Sequence, residues 1–243
     1  MKLANRYIVV VTALLLAGAV VCHGRVFMRW TSASRSTEAI ETLGCKIVYE
    51  AAITVNGGEG QITVFGFDKA IGETVVELAK TFGIAKYKFS GGTMAMLSAE
   101  SDDRVIKLIA VDIGGDNRTL LFKIEQSASD AKLSGAGPTE HLMKAVPFYP
   151  DSAPLFYAKN NDTGMSLEIS SARVAETSVR EFYDSSLSGA GWTSAMPGMN
   201  SGLAVFHKGS EICCVLVAAD DDAPGSSKIT VLHKPLTRIS DKF

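Results

Sequence analysis

Four residues in the C-terminal third, His207, Cys213, Cys214 and His233, are of the types that bind metal ions. If Lys208-Gly209-Ser210-Glu211 closes a tight hairpin, His207 pairs near Ile212, and His233 approaches Cys213 or Cys214 from the next strand. Adjacent residues on a strand point to opposite faces, so the two thiols cannot readily serve one tetrahedral ion. Strand residues without a ligand role are therefore expected. Nucleophilic catalysis needs a base and an orienting group beside the nucleophile. Serines abound, yet no G-x-S-x-G elbow occurs, and Ser186-Leu187-Ser188-Gly189 reads as a helix end. The glycine clusters at 56–60, 91–92 and 114–115 lie between alternating segments and match neither a P-loop nor a dinucleotide fingerprint. Asp220, Asp221 and Asp222 read as a solvated acidic turn, because calcium needs six or more shaped oxygen ligands. No catalytic, cofactor-binding or metal residue is assigned, and no cofactor is expected.

The elements that would position any site begin with an export pattern. Lys2 and Arg6 precede an uncharged apolar run from Tyr7 to Cys22. Sixteen helical residues rise only ~24 Å against a ~30 Å hydrocarbon core. Val26 to Trp30 extend the span if Arg25 and Arg29 snorkel. A cleaved signal with Ala17-Gly18-Ala19 at its end, and a lipid-modified Cys22, are the rival readings. Membrane contact is thus expected through residues 7–28, with the bulk of the chain outside the cytoplasm. The net charge of −2 gives no basic field for nucleic acid. Free cysteines behaving as small hydrophobes account for Cys45, Cys213 and Cys214.

After a spacer at 31–46 the chain reads as two copies of one α+β module, each an antiparallel sheet with one helix packed across it. The first spans 47–126. It has two strands around Asn56-Gly57, a helix with the apolar stripe Ile71, Val75, Leu78 and Phe82, and three further strands. The second spans 146–235. Its strands flank Lys159 to Gly164, its helix runs from about Ala175 to Leu187, and a three-strand meander follows. Glu73-Thr74 aligns with Glu176-Thr177 at an offset of 103. Residues 127–145 have linker composition, with a helical turn expected near Thr139 to Ala145, and 236–243 form a tail.

The second half resembles a module of exported bacterial proteins and lipoproteins. Pro147-Phe148-Tyr149-Pro150, Phe182-Tyr183 and Gly191-Trp192 carry the likeness over residues 146–234. The resemblance implies location, in the bacterial cell envelope, and fold, and carries over no active-site residue. A looser likeness in layout is to anchored outer-membrane assembly lipoproteins with tandem sheet-plus-helix domains. Phe182 is expected to fill the core, with Tyr183 and Trp192 near its edge. Tyr183, Trp192, Phe148 and Tyr149 form the candidate binding surface. The functional expectation is a non-enzymatic scaffold or protein-binding component of an exported assembly. A binder of a small apolar or glycan ligand is the alternative, and an enzyme with an unrecognised site the third reading.

Overall fold

The computed structural model describes residues 35–90, 92–101, 103–114, 118–195, 203–220 and 223–235. A short helix, α1 (Arg35–Glu41), precedes the hairpin β1 (Lys46–Val55) and β2 (Gly58–Phe67). Asn56 and Gly57 join these strands with φ of 48° and 90°, the two left-handed positions of a tight hairpin turn. Helix α2 (Ile71–Thr81) follows, then β3 (Lys88–Ser90), β4 (Met94–Ser101), β5 (Arg104–Asp112) and β6 (Thr119–Ser127). Helix α3 (Ala128–Ala136) leads to β7 (Ala153–Asn160) and β8 (Ser166–Ala172). Helix α4 (Glu176–Gly189) precedes β9 (Thr193–Ser194), β10 (Leu203–Lys208), β11 (Glu211–Ala219) and β12 (Ser227–Lys234).

All twelve strands form one sheet, in the order β3-β4-β5-β6-β2-β1-β7-β8-β12-β11-β10-β9. The expectation of two separate sheets, each with one helix, is thereby overturned. Strand β1 pairs antiparallel with β7 through Ile53↔Asn160, Thr54↔Lys159 and Val55↔Ala158. The reason is elementary: each half-sheet has an edge strand whose unpaired N–H and C=O groups find partners in the other. Four helices are described rather than two, and none is long and apolar enough to cross a membrane. The membrane segment read at residues 7–28 lies outside the described residues.

The order is a palindrome, because each half runs first strand, second strand, then its last strands backwards. The N-caps of α2 and α4, Ala70 and Ala175, stand 105 positions apart, and so do Thr54 and Lys159, which face each other across the join. The Asn56 amide donates to the Tyr157 carbonyl at 2.9 Å, and Asn161 donates to Ala52 at 2.9 Å, the same bond seen from the other half. A local two-fold axis therefore passes between β1 and β7, as at an isologous dimer interface. The spacing of 105 replaces the offset of 103 read from helix sequence. One hydroxyl repeats as well: Thr119 donates to the Lys69 carbonyl at 2.8 Å, and Ser227 donates to Val174 at 2.7 Å, fixing the chain just before each long helix.

Both long helices lie on one face. Ile71, Val75 and Leu78 pack with Phe65, Leu97, Leu108 and Leu121. Val179, Tyr183 and Leu187 pack with Tyr157, Phe206, Val215 and Ile229. The other face carries Ile53, Ile62, Val64 and Phe122 in one half, and Met165, Leu167 and Ile169 in the other.

The stretch read as a linker is built into the fold. Ser127 caps α3 by accepting from the Asp130 amide at 3.1 Å. The helix sits so close to β2 that a Cβ at Gly58 would meet the Asp130 carbonyl at 2.3 Å. Residues 139–145 form no helical turn; the chain there is irregular, bends at Thr139-Glu140 and at Ala145, and carries buried His141 and Met143.

Candidate functional site

In each half, the segment preceding the first strand crosses the helix-bearing face and fastens to a buried charge. In the first half the segment is α1. The Lys123 ammonium, 0 % exposed, donates to Ser36 Oγ at 3.0 Å, Thr37 Oγ1 at 2.5 Å and Glu125 Oε2 at 2.8 Å. Ser36 Oγ also donates to Glu125 Oε2 at 2.6 Å, and Arg104 reaches the other carboxylate oxygen at 3.3 Å. In the second half the segment is a strap, residues 141–152, and the buried charge is Glu168 on β8. His141 Nδ1 lies 2.5 Å from Glu168 Oε1, and the amides of Leu142 and Met143 donate to Oε2 at 2.9 and 3.0 Å. The two fastenings occupy one level of the repeat. Thr63 pairs with Lys123 and Glu168 with Val231, and Thr63 and Glu168 are themselves 105 positions apart.

The four residues of the candidate surface divide here. Phe148, 50 % exposed, stacks on the His141 ring with centroids 4.4 Å apart and planes 8° apart. Tyr149 meets Phe182 edge-on at 5.2 Å, and Phe182 meets Tyr183 at the same distance. Tyr183 is 2 % exposed and Trp192 6 % exposed, so both pack in the core. Burial pushes the Tyr183 phenol above its ordinary range, against an opposing hydrogen bond with the Tyr149 backbone and with a smaller contribution from the Glu168 carboxylate. The expected roles of Phe182 and Tyr183 are thus exchanged, because Val179, Tyr183 and Leu187 repeat every four residues and set the buried stripe. Trp192 lies apart from the strap, edge-on to His233 at 5.9 Å. An open groove of about 440 Å³ runs along Met143 to Phe148.

Glu168, His141 and Ser152 stand in the order of an acyl-transfer triad, with Ser152 Oγ 3.2 Å from His141 Nε2. The hydrogens decide against that chemistry. Nε2 faces the Ser152 backbone carbonyl at 3.0 Å, an acceptor that requires a hydrogen on the ring nitrogen. The Ser152 hydroxyl donates to the Tyr149 carbonyl at 2.6 Å, away from the imidazole. A general base needs a bare nitrogen aimed at the hydroxyl proton. The cluster instead holds the strap down.

The histidine and cysteine residues of the C-terminal strands sit on two faces. Cys213 pairs with His233 and Phe206 on the helix side, while Cys214 and His207 belong to the opposite side. Among the described residues no group of three or more metal-binding side chains converges. His233 is occupied by Glu211 Oε2 at 3.0 Å. Burial, and to a lesser extent Cys214, pushes the Cys213 thiol up to about 12, and burial raises Cys45 to about 11. Thiolate is the reactive form, so both should resist alkylation. Iodoacetamide at about pH 8 is expected to leave Cys213 and Cys45 unmodified in the native chain and to label them fully in denaturant, read by peptide mass mapping. Labelling of native Cys213 within minutes would contradict its burial.

Sequence reading missed both fastenings, although Lys123 carried a signal. Glu168 in "SLEIS" reads as the solvent face of an alternating strand, between Ser166 and Ser170, whereas Lys123 in "TLLFKIE" follows the apolar run Leu120-Leu121-Phe122 and shares a face with Leu121. A charge at a core-facing position implies a buried partner. Compared with protein-family models, curated proteins and solved structures, the chain finds no match.

Proposed function

We propose that the chain is a non-enzymatic, protein-binding component of a bacterial envelope assembly, presented outside the cytoplasm. One contrast carries the reading. The buried charged groups of the two fastenings are engaged in holding α1 and the strap, whereas β1 and β7, the strands that meet at the join, leave large apolar side chains in solvent outside their three paired residues. Strands β1 and β7 each carry an irregularity in pairing, between Ile47 and Tyr49 and between Pro154 and Phe156. Ile47, Val48 and Leu155 stand exposed there, and Phe148 is exposed on the strap. A bulge turns a side chain away from its sheet, which is how an edge or join presents a residue to a partner. Two related halves offering such residues suit a partner that meets both. The export pattern in residues 1–30 supports the location.

Photo-crosslinking residues placed singly at Val48, Leu155 and Phe148 of the full-length chain in cells test this. One discrete high-mass adduct, shared by these positions and missing at the exposed Val76 of α2, is expected. No adduct at any of the three, or equal adducts at Val76, would refute it. The groove along Met143 to Phe148 favours a small apolar or glycan ligand as the second reading. Such a ligand would raise the melting temperature of the intact protein.

A further inference from the structure

We propose that residues 141–152 form a proton-dependent strap over the core of the second half, latched by the His141–Glu168 pair. Both ring nitrogens of His141 face oxygen acceptors, Glu168 Oε1 at 2.5 Å and the Ser152 carbonyl at 3.0 Å. Both contacts are hydrogen bonds only when two hydrogens lie between the ring and these acceptors, one more than a neutral imidazole beside a carboxylate supplies. The same carboxylate collects the Leu142 and Met143 amides, so ring and strap backbone depend on one group. Met143 and Val146 are buried in the core against which Tyr149 also packs.

The groups facing the pair are few and come from each packed element. Tyr157 arrives from β7 and Tyr183 from α4, with Cys213 of β11 behind Tyr183. Burial first, and the Glu168 carboxylate second, raise the Tyr157 phenol; burial likewise raises Tyr183 and Cys213. These groups keep their protons beyond neutral pH. Glu140, just before the strap, and Lys144 and Asp151 within it are exposed to solvent. The His141–Glu168 pair is thus the element of the cluster whose proton count changes when the strap opens. The latched state holds one proton more than an open strap with a neutral ring and a solvated carboxylate. Its stability therefore falls as pH rises.

The strap stands independently of the partner reading, because its test needs no partner. Hydrogen exchange of the full-length protein in detergent, corrected for the intrinsic pH dependence, is read by mass spectrometry from about pH 5.5 to about pH 8. Protection of peptides covering 138–152 should fall with rising pH, by at most about tenfold per pH unit, the limit for one linked proton. Peptides from α1, fastened through a lysine, and from β11 and β12 should hold theirs. His141→Gln should leave strap protection low and flat with pH, and Glu168→Gln should do the same. A flat profile in the wild-type protein overturns the proposal even if neither variant folds. So does a His141→Gln protein that keeps the wild-type slope, since that would assign the proton to a group outside the latch.

Discussion

Glu125→Ala is expected to destabilise the protein by about 3–5 kcal/mol, the usual result of leaving one member of a buried ion pair behind. The Lys123 ammonium has no solvent access, and the carboxylate is one of three described groups that compensate its charge. Of the described partners the Ser36 and Thr37 hydroxyls would remain, and hydroxyl dipoles do not neutralise an ammonium in a low-dielectric interior. Arg104 would also lose its contact, at little consequence, since its side chain is 55 % exposed. For a chain of this length the change corresponds to a drop of roughly 6–20 °C in Tm. The double variant Lys123→Met with Glu125→Leu removes both charges while keeping volume. It should recover most of the loss, because well-packed apolar residues commonly replace a buried pair without penalty. Thermal unfolding followed by circular dichroism measures all three proteins. A single variant within about 1 kcal/mol of wild type would mean that water or another group solvates Lys123.

The two fastenings show what was legible in the sequence and what was not. Hairpin chemistry at Asn56-Gly57 and the stripe Ile71, Val75, Leu78 are local signals, and they place β1, β2 and α2 where the structure has them. Alternation in "EICCVLVAA" and "KITVLHK" likewise marks β11 and β12, whose register brings Cys213 opposite His233. The join was not legible, because three residue pairs between β1 and β7 lie more than a hundred positions apart and leave no periodic trace. Its symmetry is visible only afterwards, once Thr54 is seen facing its own repeat partner Lys159. Helix α3 was partly legible. Ser127 followed three residues later by Asp130 is a helix-start signal, and the polar, Gly-containing composition of the stretch masked it. The strap gave no secondary-structure signal at all. Its order comes from side-chain and amide bonds to Glu168, which no window of sequence contains.

The fastenings also show where the two halves related by the local two-fold axis differ. At one level of the repeat, Lys123 of β6 stands beside Thr63, and Glu168 of β8 stands beside Val231. The charge has opposite sign and sits on the neighbouring strand, yet it performs the same task. A polar group in an apolar layer accepts only a segment that satisfies it. Each half therefore specifies its own covering segment, and α1 cannot substitute for the strap.

Tyr183→Ala is expected to cost about 3–5 kcal/mol, whereas Phe182→Ala should cost about 1–2 kcal/mol. The two residues are neighbours on α4, and the contrast follows from which side of the helix faces the sheet. Tyr183 lies between Val179 and Leu187 on the buried stripe, packed with Tyr157, Phe206 and Val215. Removing its ring leaves a cavity lined by residues of both helix and sheet, and takes the phenol hydroxyl away from the polar backbone of Tyr149. Phe182 is half-buried, and Tyr149 can follow it inward, so the surface closes over the gap. Tyr183→Phe separates the two contributions, since it keeps the packing and loses the hydroxyl; a cost of about 1 kcal/mol is expected. Urea unfolding of the three variants gives the comparison directly. Equal losses for Phe182→Ala and Tyr183→Ala would mean that α4 is rotated about its axis, bringing Phe182 toward the sheet. The strap would then have to shift with it, because Tyr149 contacts Phe182 and the Tyr149 backbone bonds Tyr183.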